Sequence, residues 1–248
     1  MLRRLPAFAV LFWGLSSAHA EPAVAQWNVY VYMNAQPNLD DFAIKDIEEM
    51  KLAGASPDVN IFVQLALSDH QVRRYMIQPG DAQLVDELGA IDPFDSRNLA
   101  DFVTWAHEKY PARRHAVVVW GHGASLPERI RRVIPESNGD QFPRRGMDLK
   151  FLHQSALRIR HALGKRVDVW GYDSCFMGRV EVGYELRRAA DYMVASQDTV
   201  DAAGWDYTAW LSQLLDRPSL VRAERGERLV QRVEVPEHEL GVGLARAH

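Results

Sequence analysis

An imidazole and a thiol end two similar segments of this chain. The apolar run Ala116-Val117-Val118-Val119-Trp120 enters Gly121-His122-Gly123, and about fifty residues later Val167-Asp168-Val169-Trp170 enters Gly171-Tyr172-Asp173-Ser174-Cys175. Each is a β-type run that stops at a glycine-containing turn with a reactive side chain. Parallel strands ending at one edge of a sheet would bring His122 and Cys175 together, at the carboxyl edge where open α/β sheets place their sites. A His and a Cys so placed can carry out thiol acyl transfer. Cys175 is the only cysteine in 248 residues. A lone Cys is more often a small buried hydrophobe, but its place at a strand-end turn favours a reactive thiol.

The elements that must position these two groups alternate along the chain. Trp27 to Met33 is rich in β-formers and reads as a strand. A helix follows from about Leu39 to Leu52, with Leu39, Phe42, Ala43, Asp46, Ile47 and Met50 at helical spacing and Gly54 as its stop. Val59 to Leu67 is a nearly continuous apolar run, as a buried strand should be. Val72 to Ile77 reads as a short strand before the Pro79-Gly80 turn, and Asn98 to Tyr110 as a helix. Beyond the Ala116 strand, Ala124 to Gly146 holds three prolines and five arginines and reads as a long exposed loop. Helices are expected at Asp148–Leu163, Phe176–Ala190, Trp205–Leu215 and Leu220–Val233, with strands at Val167–Trp170 and Tyr192–Ser196. Strands alternating with helices predict an α/β fold, a three-layer α/β/α sandwich with a mainly parallel central sheet.

The first twenty residues read as an export signal. Met1-Leu2-Arg3-Arg4 is a positive start, Pro6 to Leu15 an apolar core, and Ala18-His19-Ala20 a small-x-small cleavage site. The apolar stretch is shorter than the roughly 20 residues that span a membrane. The expectation is residues 1–20 as signal peptide and residues 21–248 as one domain, secreted or periplasmic, with no membrane contact after cleavage. Loss of Arg3 and Arg4 takes the formal charge from −4 to −6. That mild acidity offers no footprint for nucleic acid and suits basic substrates. His107, His115, His153 and His161 lack metal-ligand spacing, and no EF-hand loop is present.

The ordered set of motifs resembles the clostripain family of cysteine peptidases, in the clan of caspases, legumains and gingipains. The blocks are Trp27–Met33 with Asn38-Leu39 and Ala43–Met50, then Val59–Leu65 with Arg73-Arg74-Tyr75. Trp120-Gly121-His122-Gly123 resembles the histidine motif and Gly171–Gly178 the cysteine motif. Glu181-Val182, Tyr184-Glu185-Leu186, Ala195-Ser196-Gln197 and Gly204-Trp205-Asp206-Tyr207 complete the series. The resemblance covers roughly Trp27 to Leu215 and implies a caspase-like fold.

By that resemblance the chain is expected to be an exported endopeptidase cutting peptide or protein substrates after Arg or Lys. Cys175 would be the nucleophile and His122 its acid–base partner, with the backbone N–H groups of Gly123 and Cys175 as oxyanion donors, each typically worth about 3 kcal/mol. Asp173 would sit in the specificity pocket and pair with a guanidinium; Asp198 and Asp201 are second candidates in a nearby loop. Asp173 could instead cap the following helix. The family is made as a zymogen cleaved between its two motifs, so Arg131-Arg132 or Arg144-Arg145 would be self-cleavage sites; a solvated basic loop is the plainer alternative. No cofactor is required; calcium enters only as an implication of the family. Residues Glu234 to His248 do not resemble the family, and the chain reads as shortened at its carboxyl end. The competing expectation keeps the fold and drops the catalysis, leaving an inactive peptidase that binds peptides or a partner.

Overall fold

The computed structural model describes residues 24–123, 149–219 and 242–246. The expected signal peptide, the arginine-rich loop with Arg131, Arg132, Arg144 and Arg145, and the helix expected at Leu220–Val233 lie outside these residues. Among these residues eight strands form one sheet: β1 (Ala25–Asn34), β2 (Val59–Ala66), β3 (Val72–Gln78), β4 (Asp81–Gly89), β5 (Ala112–Gly121), β6 (Val167–Asp173), β7 (Ala190–Ser196) and β8 (Val242–Arg246). Their spatial order is β4-β3-β2-β1-β5-β6-β7-β8. The five central strands, β2 to β7 in that order, are parallel. Antiparallel β3 and β4 extend one side, and antiparallel β8 the other.

Among the described residues five helices cover the two faces: α1 (Asp40–Ala53), α2 (Ser96–Lys109), α3 (Leu149–Leu163), α4 (Val180–Leu186) and α5 (Tyr207–Asp216). Alternation along each strand feeds two separate cores. Tyr30, Tyr32, Val117, Val119, Trp170 and Tyr172 pack against α2, α3 and α4. Trp27, Val29, Val31, Val118 and Trp120 pack against α1 and α5 on the opposite face. The architecture is the expected three-layer α/β/α sandwich, with a caspase-like arrangement of a mainly parallel sheet.

Three local expectations change. Asp81–Gly89 is a strand that was not anticipated, because its outward residues are largely polar and exposed, as suits an edge strand. β6 runs on to Asp173, so that residue ends a strand and does not belong to the turn. The helix expected from Phe176 to Ala190 is only seven residues, Val180–Leu186. Phe176 has φ 59, and the amides of Phe176 and Gly178 donate to Asp198 O (3.0 Å) and Ser196 O (2.6 Å). Those donors are satisfied by the last residue of β7 and the loop after it, which holds Phe176 to Arg179 out of the helix.

Candidate active site

Strand register brings the two reactive turns together. Trp120 pairs with Asp173 at the carboxyl ends of neighbouring β5 and β6, so His122 and Cys175 each follow the same edge by two residues. The turns then touch through Gly123. A Cβ built on Gly123 would lie 1.8 Å from Cys175 O and 2.7 Å from Cys175 N, a space only glycine leaves open. Gly121 does the same on the other side. It adopts φ +139, and a Cβ there would meet Asn34 O at 2.6 Å, so the histidine turn lies against the end of β1.

That approach gives the imidazole a partner. His122 Nε2 lies 2.8 Å from Asn38 Oδ1, in the turn joining β1 to α1. The ring keeps a solvent-facing side, and partial desolvation by its surroundings lowers its pKa below the usual value. The imidazole is therefore biased towards the neutral form.

Cys175 is half-buried. The Val200 N–H donates to its Sγ at 3.3 Å, with Val200 O 3.7 Å away. Ser174 Oγ donates to Val119 O at 3.4 Å, tying the cysteine turn back to β5. Among the described residues, neither the Gly123 nor the Cys175 amide donates to a loop carbonyl.

Asp173 points to the α1/α5 face, opposite its neighbour Tyr172, and is 4 % exposed. Its Oδ2 accepts from the Trp205 N–H (3.0 Å) and the Tyr207 hydroxyl (3.2 Å). It therefore does not cap α4, whose N-cap position is Arg179. Gly204 packs so closely that a Cβ there would sit 2.7 Å from Oδ2. Burial, with a contribution from the nearby Glu49 carboxylate, raises the Asp173 pKa to about 6. No Lys, Arg or His among the described residues forms an ion pair with it.

Behind Asp173 stands a second acid. Asp46 of α1 is fully buried. Its Oδ2 accepts from Trp120 Nε1 at 2.7 Å, while its Oδ1 has no partner among the described residues. Burial and the charge of Asp173 raise its pKa to about 8. Glu49 closes the group by accepting from the Tyr207 amide at 3.1 Å. This inner layer was not recognised from sequence, although a signal was present: Asp46 occupies an apolar position in the helical repeat of α1.

Asp198 and Asp201 lie in the loop after β7, exposed to solvent. Their carboxylates accept from Thr199 N (2.7 Å) and Ala203 N (2.8 Å) in their own loop. The main chain of Asp198 supports the cysteine turn through Phe176 N. Among the described residues no group of three or more His, Cys, Asp or Glu is placed to hold a metal ion, so these residues give no fit for the calcium that the resemblance implies.

Known proteins share this arrangement of chain. The model of the Clostripain family matches residues 31–239. Clostripain of Hathewaya histolytica is 26 % identical over 216 residues, an alignment covering 72 % of this chain and 40 % of that protein. Among solved structures, a secreted C11 cysteine protease from Bacteroides thetaiotaomicron, in complex with an irreversible peptide inhibitor, superposes with a TM-score of 0.62 at 22 % identity, covering 77 % of this chain and 54 % of that one. An inactive zymogen C11 protease from Parabacteroides distasonis gives 0.58 at 18 % identity, covering 79 % and 55 %. The chain thus spans 40 % of clostripain and just over half of each solved relative. With the family's motifs falling at the adjoining ends of β1, β5 and β6, and a family match over most of its length, this chain belongs to the clostripain family.

Proposed function

We propose that the chain is an exported cysteine endopeptidase that cleaves after Arg, and also after Lys, with Cys175 as nucleophile and His122 as acid–base group. The observation that carries the basic preference is the Asp173 carboxylate. It is buried one strand-end from the thiol, held by two donors on one oxygen, and without a cationic partner among the described residues. A buried carboxylate so placed is stabilised by a guanidinium or ammonium arriving with the substrate. The Glu49 carboxylate behind it adds negative potential of the same sign.

The reaction then runs on groups of the chain itself. His122 accepts the thiol proton, and the Cys175 sulfur attacks the carbonyl carbon of the peptide. The carbonyl oxygen, now negative, is received by the Gly123 and Cys175 amides. As the C–N bond breaks, the imidazolium returns its proton to the departing amine. Water, deprotonated by His122, then hydrolyses the thioester and frees the thiol. The neutral bias of His122 suits it to accept the first proton near neutral pH.

Secretion is part of the proposal: it rests on residues 1–20 and agrees with the secreted relative from Bacteroides thetaiotaomicron. No helix among the described residues is long and apolar enough to cross a membrane. Self-cleavage at Arg131-Arg132 or Arg144-Arg145 follows from the same preference. A panel of fluorogenic peptides differing only in the residue before the scissile bond tests the specificity. Turnover with Arg and Lys and none with Ala, Leu or Asp is expected. Equal turnover across the panel contradicts the role of Asp173. No turnover by a folded chain supports the peptide-binding alternative.

A further inference from the structure

The contact between His122 and Asn38 goes beyond the two-residue mechanism, though its catalytic value rests on that reading. We propose that Asn38 is a positioning residue that fixes which nitrogen of His122 handles the proton. Three adjacent strand ends converge here. β1 leads to Asn38, β5 to His122 and β6 to Cys175, and β1 and β5 are in register up to Asn34 and Gly121. The absence of a side chain at Gly121 lets the histidine turn lie on Asn34 O, which brings Nε2 to 2.8 Å from Asn38 Oδ1.

Asn38 has little structural work of its own. Its side chain is exposed, and its only hydrogen bond among the described residues is the one to His122. The turn around it is secured by other groups. Leu39 N donates to Ala35 O, and Ser68 Oγ lies within hydrogen-bond distance of both Pro37 O and Asp40 Oδ1.

With its amide oxygen towards Nε2, Asn38 pairs with a ring protonated on that nitrogen. The neutral ring then carries its lone pair on Nδ1, and Nδ1 is the atom that takes the thiol proton and returns it to the leaving amine. The same oxygen favours the imidazolium once it forms, opposing the desolvation that lowers the His122 pKa. An amide does this without a full charge, so the ring can still give up its proton.

The test uses the full chain with Asn38→Ala and Asn38→Asp. Steady-state kinetics are measured on a peptidyl-arginine substrate, and the His122 ring is titrated by NMR in the Cys175→Ala background. Asn38→Ala should lower kcat about tenfold with KM nearly unchanged, the scale of one lost hydrogen bond, and should shift the His122 titration to lower pH. Asn38→Asp should recover part of kcat and shift the titration upward by about one unit, as expected for an adjacent carboxylate. Nitrogen chemical shifts of the neutral ring should report the proton on Nε2. An Asn38→Ala chain with wild-type kcat and an unmoved titration overturns the proposal, as does a neutral ring protonated on Nδ1. The NMR arm needs no activity. A wild-type chain that does not cleave refutes the peptidase reading alone and leaves the Asn38 contact to be decided by the titration.

Discussion

Replacing Asp173 by Asn should make the protein more stable and less active, because the same buried charge is costly to the fold and useful to the substrate. In the folded chain the carboxyl pKa is raised from 3.8 to about 6, first by burial and secondarily by the Glu49 charge. About two units correspond to about 3 kcal/mol. Because the folded pKa lies above the unfolded one, the protonated carboxyl favours the fold below pH 3.8, and that advantage is lost as pH rises through about 6. The penalty carried by wild type therefore grows from under about 1 kcal/mol at pH 4 to about 3 kcal/mol at pH 8. Asn at this position keeps an oxygen for the Trp205 amide and the Tyr207 hydroxyl and carries no charge. Urea unfolding at pH 4 and pH 8 should show Asp173→Asn gaining stability mainly at the higher pH.

Activity should move the other way. A charge-assisted hydrogen bond to a guanidinium contributes about 1.5–3 kcal/mol, so kcat/KM on a peptidyl-arginine substrate should fall roughly 10- to 150-fold. In wild type kcat/KM should decline on the acid side with an apparent pKa near 6, as free Asp173 takes up a proton. The variant should lack the part of that limb due to Asp173. A variant that cleaves after Arg as well as wild type, or that is destabilised at pH 8, would refute the assignment of Asp173 as the carboxylate of a basic pocket.

Other perturbations test separate parts of the account. Gly123→Ala forces a Cβ into the Cys175 main chain; a displacement of about 1 Å between the turns should cost at least roughly 100-fold in kcat/KM, measured on protein whose circular dichroism matches wild type. Asp46→Asn removes a buried acid whose pKa is raised to about 8 by burial and Asp173. Its protonated form favours the fold below 3.8 and that contribution fades as pH rises through about 8, so the stability gain in urea should be larger at pH 9 than at pH 5. If the arginine pairs of the intervening loop are self-cleavage sites, intact mass after incubation should show fragments ending at Arg132 or Arg145 from wild type and a whole chain from Cys175→Ala. Wild-type chain that remains whole while active contradicts self-processing.

The central sheet was legible because buried parallel strands read as apolar runs. The apolar runs Val59–Leu67 and Ala116–Trp120 mark β2 and the inner half of β5, whereas the polar start of β5 at Ala112–His115 carries no such signal. The meeting of the two turns that carry His122 and Cys175, seen at Gly123, follows from strand-end placement. What escaped was set by tertiary contacts. Phe176 to Arg179 has helix-compatible residues, but the Phe176 and Gly178 amides bond to the loop after β7 and to its last residue. β4 is an edge strand with a polar exposed pattern that carries no periodic apolar signal. The acid cluster depends on α1 and α5 meeting the same sheet face, a fact of topology that no local pattern encodes. The Asn38 contact likewise spans 84 residues of sequence and exists only because β1 and β5 lie side by side.

The most direct test of the central claim is mass mapping of the chain after exposure to a peptidyl-arginine affinity reagent whose warhead alkylates thiolates. The account predicts one adduct on Cys175, formed rapidly, slowed by free arginine-containing peptide, and greatly reduced in His122→Ala and in Asp173→Asn. Labelling that is indifferent to His122 and to the arginine of the reagent, or a Cys175 that stays unmodified in folded protein, would contradict it.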